Sequence, residues 1–456
     1  MTSRTGLGCP EFRSLRHQRR TLLKIGGLGL AGLNVGNLLQ AETDSSRHRA
    51  TAKSVIQLFQ FGGPSHFETF DPKPNAPQEI RGEFEAIGTS VPEIQVCEHL
   101  PRMAQIANRY SLVRTVSHKS SSHNPGAYYS LVGREPLINR VTLNASATDF
   151  PHPGSVLDYL DGRPSSMPTF VSLPTMIADG PFRTPGEFAG LLGKKYDPLW
   201  ILRDPNSKDF NVEELSLPTE VDVTRLNRRG DTLSQLDALS RLTDRVAAVK
   251  GMSDYQSRAI QLLTSTETKR ALSIHQESES TRDLYGRTTY GQSVLLARRL
   301  VEAGVRFVTV YFSRGIRGWD QHDNIFPTLK DSHLPKTDQT VSALITDLAQ
   351  RGLLEDTLVY WTGDFGRTPK INSKAGRDHW PPCGTVLLAG GGIQGGRVHG
   401  ASDAHGAYPQ QDPTRPDDIT ATVFHALGFD PETLIYDQLN RPMPISEGTP
   451  LQTLLA

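Results

Sequence analysis

The run TLVYWT at positions 357–362 constrains the fold more tightly than any other stretch of the chain. It is β-branched and aromatic, contains neither glycine nor proline, and is too short for a buried helix, so it predicts a buried strand. Asp364 follows Gly363 at once, and Gly363 and Gly366 let the backbone turn sharply there. A carboxylate is thereby set just past a strand's carboxyl end, the place where open α/β sheets bind ligands. Arg367 adds a fixed positive charge suited to an oxyanion. Taken alone, Asp364 reads equally well as an ordinary turn aspartate.

The same pattern recurs along the chain. Residues 54–61 (SVIQLFQF) read as a first strand ended by Gly62-Gly63-Pro64, with further strands at 112–116, 168–173, 306–312 and 384–389. Helical periodicity falls at 100–109, from 127 to Gly133, at 291–303, at 338–351, and after a cap at Asp417 or Asp418. Strands alternating with helices predict an α/β fold: a doubly wound, mostly parallel sheet with helices on both faces. Residues 179–209 read as a long loop. The leucines from 233 to 242 and the apolar positions near 260 predict a helical insertion or lid at about 222–275.

The amino terminus is of another kind. Arg19-Arg20 precedes a glycine-rich apolar run at 25–39 and a small residue at Ala41. This is the pattern of a bacterial twin-arginine export signal over residues 1–41, leaving one domain at 42–456 and predicting a periplasmic or extracellular protein. Export would use the twin-arginine machinery. The apolar run is too short and interrupted to span a bilayer, so no integral membrane span is expected after its removal. Lys+Arg and Asp+Glu both number 49, so no overall charge favours nucleic acid or an anionic membrane. Cys9, Cys97 and Cys383 show no metal or redox spacing; two buried free thiols or one disulfide are both compatible with Cys97 and Cys383.

Oxygen and nitrogen ligands gather at three strand ends. The first is followed by His66, Glu68 and Asp71, the strand at 306–312 leads into WDQHD (319–323), and Asp364 is followed by RDHW (377–380). Imidazoles and carboxylates at one sheet edge suit zinc or manganese, and one or two such ions could clamp an ester oxyanion and activate water. His66 and His322 taken singly are as readily hydrogen-bonded loop histidines, and Asp71 and Asp378 turn residues. The run GGGIQGG (390–396) lacks the Lys-Ser/Thr of a phosphate loop and reads as a turn.

In combination, GGPSHFETFDP (62–72), WDQH (319–322), GDFGRTP (363–369), GRDHW (376–380) and LAGGGIQGG (388–396) resemble the DUF1501 family. These are exported bacterial proteins, frequent in planctomycetes, grouped with the alkaline-phosphatase-like and sulfatase superfamily. The resemblance implies that superfamily's doubly wound sheet, a divalent-metal site for zinc, manganese or calcium, and metal-dependent hydrolysis of a small or polymeric phosphate or sulfate ester. It places metal ligands on Asp320, His322, Asp364 and His379, with His66 contributing. Several positions depart from the superfamily pattern. The usual Asp-His pair is here Asp364-Phe365, and the usual Asp-to-His spacing is shortened at Asp320-Gln321-His322. The sulfatase nucleophile frame places His123 where a modified cysteine or serine would stand. His123 is therefore expected at the reacting centre as nucleophile, base or metal ligand, with Arg367 binding the anion. The rival expectation is a non-catalytic, sulfatase-like protein that binds a sulfated glycan, an anionic ligand or a protein partner.

Overall fold

The computed structural model describes residues 48–161, 167–212, 265–312 and 318–456. The twin-arginine segment and most of the expected insertion, up to residue 264, lie outside these. At the carboxyl end of that insertion is a helix, Thr266–Leu272.

An eight-stranded sheet organises the described residues. Its strands in chain order are β1 (Ser54–Gln60), β2 (Tyr110–Val116), β3 (Phe170–Leu173), β4 (Leu199–Trp200), β5 (Phe307–Tyr311), β6 (Thr357–Gly363), β7 (Gly384–Ala389) and β8 (Val398–His399). Their spatial order is β8-β2-β7-β6-β1-β5-β3-β4. β1 pairs in parallel with both β6 and β5, matching Ser54 to Thr357 and Val55 to Phe307. Only β7 runs against its neighbours. The expected doubly wound, mostly parallel sheet is therefore what the chain forms.

Alternation along each strand divides two cores. Ile56, Leu58, Val308, Val310, Val359 and Trp361 face one layer, which the helices α3 (Thr289–Glu302) and α4 (Leu334–Gln350) cover through Val294, Leu295, Val341, Leu344 and Leu348. Val55, Phe59, Phe307, Tyr311, Leu358 and Tyr360 face the other. That side is covered by α1 (His123–Val132), α2 (Pro153–Asp161) and α5 (Pro416–Ala426). Burial on both faces explains why the strands read as continuous apolar runs rather than strict alternations. Cys97 and Cys383 are buried free thiols.

Because β1, β2, β5 and β6 all point the same way, the segments after them emerge at one edge. β7 enters from that edge, so the segment before it lies there too. Gly62-Gly63, the turn into α1, Trp319-Asp320, Asp364 and His379 are thus neighbours by topology.

Candidate metal centre

β6 ends at Gly363, and Asp364 is fully buried immediately beyond it. Both carboxylate oxygens accept from the Gly62 amide, at 3.2 and 3.0 Å, and Oδ2 accepts from His123 Nδ1 at 2.7 Å. Gly62 has φ +106°, and a Cβ there would stand 2.4 Å from the Asp320 amide nitrogen. Only glycine serves at that crossing.

His123 is the first residue of α1, held at the helix start with Pro125 in the first turn, where a missing N–H costs nothing. Its Nε2 lies 3.2 Å from Asp320 Oδ2 but makes no hydrogen bond. Burial opposes protonation of this ring, yet the Asp320 and Asp364 carboxylates outweigh it and push His123 up to about 9. Asp320 goes the other way. Its burial would raise it, but His123, His379 and Arg367 hold its carboxyl far below the usual carboxylate range.

Asp320 is anchored through the backbone of Trp319, whose amide donates to the Phe61 carbonyl at 2.8 Å. Its Oδ1 accepts from Arg367 Nη2 at 2.6 Å and lies 3.0 Å from His322 Nε2 and 3.1 Å from His379 Nε2. His379 and Trp380 form a two-residue ribbon with Gly366–Arg367. A Cβ at Gly366 would meet the Cys383 carbonyl at 1.8 Å, so this ribbon needs a glycine to close. The Phe365 ring lies beneath the imidazoles, with its centroid 5.3 Å from that of His123 and 4.5 Å from that of His379.

The structure brings together His123, Asp320, His322, Asp364 and His379. One ligand atom from each of His123, Asp320 and His379 lies within 4.8 Å of the others. His123 Nε2 turns toward Asp320, whereas Asp364 faces its other nitrogen, Nδ1. His66 makes none of these contacts; its Nε2 donates to the Gly406 carbonyl at 2.8 Å. Arg367 is fully buried, and its fork is occupied by Asp320 and by the carbonyls of Gly62, Gly63, Trp319 and Arg377. It positions Asp320 and the surrounding loops, and does not meet a dissolved anion. Glu68, one of the three ligand types that follow the first strand, forms a buried pair with Arg377 at 2.6 Å.

Two further groups hold the imidazoles. Asp378, which the sequence offers both within the ligand-bearing run 377–380 and as a turn residue, accepts from His322 Nδ1 at 2.7 Å, and the Ser121 carbonyl accepts from His379 Nδ1 at 2.7 Å. Nothing in the sequence marks a main-chain carbonyl.

A family model described as "Protein of unknown function (DUF1501)" matches residues 52–455. The chain belongs to the DUF1501 family. No protein of curated function matches it in sequence. Among solved structures, similar chains include the PsFucS1 sulfatase from Pseudoalteromonas sp., at 12% identity over 85% of this chain and 70% of that one, with TM-score 0.37. Another is the phosphonate monoester hydrolase SpPMH from Silicibacter pomeroyi, at 11% identity over 89% and 76%, with TM-score 0.34. Ps i-CgsB is similar at 10% identity over 87% and 75%, with TM-score 0.41. Likenesses of this strength carry nothing about activity.

Proposed function

We propose that this DUF1501 protein is a metal-dependent hydrolase acting on a phosphate or sulfate ester. The observation that carries this is the convergence of His123, Asp320 and His379 at the carboxyl edge of the sheet. The donor set fits a divalent ion, and the buried His123 Nε2 is left without a hydrogen bond on the side facing Asp320. Such an ion supplies Lewis acidity and activates water for attack on an ester.

The protein's own contribution is orientation. Asp364 fixes the His123 ring, Arg367 fixes Asp320, and Phe365 supports His123 and His379 from below. The side chains of His322 and Asp378 are 42% and 55% exposed, which leaves one side of the centre open to substrate. A groove of about 790 Å³ adjoins that side, lined by Asp378, Trp380, Lys370 and Tyr408 among others. It offers aromatic faces and a lysine to the body of an anionic substrate.

His123 stands where the covalent members of the superfamily carry a nucleophile, and it is clamped between two carboxylates. This favours direct attack by water over an enzyme-bound ester. It also supports a second reading, in which the protein binds a sulfated glycan, an anionic ligand or a partner without turnover. The deciding experiment strips purified protein with a chelator, restores zinc or manganese, and assays aryl phosphate, aryl sulfate and phosphonate monoester. Metal-restored turnover of any of them supports the hydrolase, and stoichiometric metal with no turnover favours the binding protein.

Residues 1–41 would direct twin-arginine export, and among the described residues no helix is long and apolar enough to cross a membrane. Retention in the cytoplasm after Arg19 and Arg20 are both changed to Lys would support that route; undiminished export would remove it.

A further inference from the structure

Three histidines at this edge are each gripped through Nδ1 by a group that can only accept. His123 meets Asp364 Oδ2, His322 meets Asp378 Oδ1, and His379 meets the Ser121 carbonyl, each at 2.7 Å. In the neutral rings all three protons therefore sit on Nδ1, and all three Nε2 atoms present lone pairs. Those lone pairs face a single carboxylate. His123 Nε2 is 3.2 Å from Asp320 Oδ2, while His322 and His379 Nε2 are 3.0 and 3.1 Å from Oδ1. His322 and His379 Nε2 are only 3.0 Å from each other. Lone pairs so close repel unless a cation lies among them.

We infer that the centre takes one borderline divalent ion of the zinc type, held by the Nε2 atoms of His123, His322 and His379 and by Asp320. Asp364 and Asp378 are the outer carboxylates that orient two of the rings. This rests on the metal-dependent reading above and narrows it to ion class, ion number and ligand set.

Three observations support the narrowing. Bonds of about 2.0–2.1 Å at tetrahedral angles separate ligand atoms by about 3.3 Å, so the spacings from Asp320 to the three Nε2 atoms and between His322 and His379 need open by only a few tenths of an ångström. His123, Asp320 and His379 already lie within 4.8 Å of one another, and the part-exposed His322 shifts to complete the set. A donor set of three imidazoles and one carboxylate suits zinc, iron, copper or nickel, whereas calcium and magnesium prefer oxygen cages. The carboxylates that a second ion would need are already committed: Asp364 to the Gly62 amide and His123, Glu68 to Arg377, and Asp71 to Lys73 and Arg114. Charge agrees. In formal charge, the three carboxylates of Asp320, Asp364 and Asp378 balance Arg367 and one dication, and a second would leave the group doubly positive.

The test is metal analysis of the full chain purified without chelator, followed by cobalt(II) reconstitution and its visible spectrum. One ion per chain is expected, with a spectrum that changes in His322→Ala. Asp378→Asn is expected to weaken cobalt affinity about 10–100-fold, with the metal-free melting temperature unchanged because Asp378 is largely exposed. Two ions per chain, a preference for calcium over cobalt, or a cobalt spectrum indifferent to His322→Ala would overturn this inference and leave the hydrolase reading standing. One ion without ester turnover would uphold the inference and overturn the hydrolase. A protein retaining no ion at all, its histidines held together by protons alone, would overturn both.

Discussion

Arg367 shows how far a residue's chemistry depends on where its donors end. A guanidinium beside a cluster of carboxylates and imidazoles invites a role in anion binding, yet this one is wholly enclosed, and burial alone pulls its pKa down against the pull of Asp320. Its planar fork ties four carbonyls from three separate loops to Asp320. Lysine keeps the charge but not the fork. Arg367→Lys should therefore lower the unfolding free energy by about 1–3 kcal/mol, the cost of leaving buried carbonyl acceptors without their donors. Urea titration of the metal-free protein measures this. A variant of normal stability with a raised KM for an anionic ester would restore the substrate-binding role. Asp364 was picked out as a candidate by its strand end and His123 by the family resemblance, but that His123 Nδ1 meets the Asp364 carboxylate depends on how α1 begins.

At the scale of elements, the strands were legible where burial is deep and the run is long. TLVYWT became β6, and residues 384–389 became β7 with the expected bounds. The two-residue strands β4 and β8 were not, because two residues carry no period and both sit within turn-rich sequence. The direction of β7 was also hidden, since an apolar run reads alike both ways. That direction matters, because it brings Arg377, Asp378 and His379 to the edge where β1 ends. The segment is strapped there by Glu68, which receives Arg377 Nη2 at 2.6 Å and Nε at 3.0 Å, with both side chains essentially inaccessible. Glu68→Gln leaves a buried guanidinium without its counter-charge and should cost about 3–5 kcal/mol. Since the strap also holds His379, cobalt affinity should fall with it. Stability lost with affinity intact would show that the ribbon carrying His379 keeps its place without the strap.

The whole molecule holds its two cores together around several buried titratable groups, and these set its response to pH. His66 is drawn down to about 4, chiefly by burial, and His152 to about 3 by burial alone. A histidine depressed in the fold contributes stability above its unfolded value near 6.5 that is lost as pH falls toward the folded value. Between about pH 6.5 and 4, the two together should give a slope approaching 3 kcal/mol per pH unit. Glu187 opposes them. It is fully buried, its Oε1 accepts only the Ile177 amide, and burial raises it well above the ordinary glutamate value. A raised carboxyl contributes stability below its unfolded value, near pH 4.5, that is lost as pH climbs through the folded one. Denaturant unfolding from pH 4.5 to 7.5 therefore separates the contributions. His152→Gln should flatten the loss of stability on the acid side relative to the parent. Glu187→Gln should steepen that acid-side loss and raise stability near neutrality, by removing a carboxyl that must otherwise stay protonated or ionise within the core. Variants whose profiles merely run parallel to the parent's would mean that neither group titrates with folding.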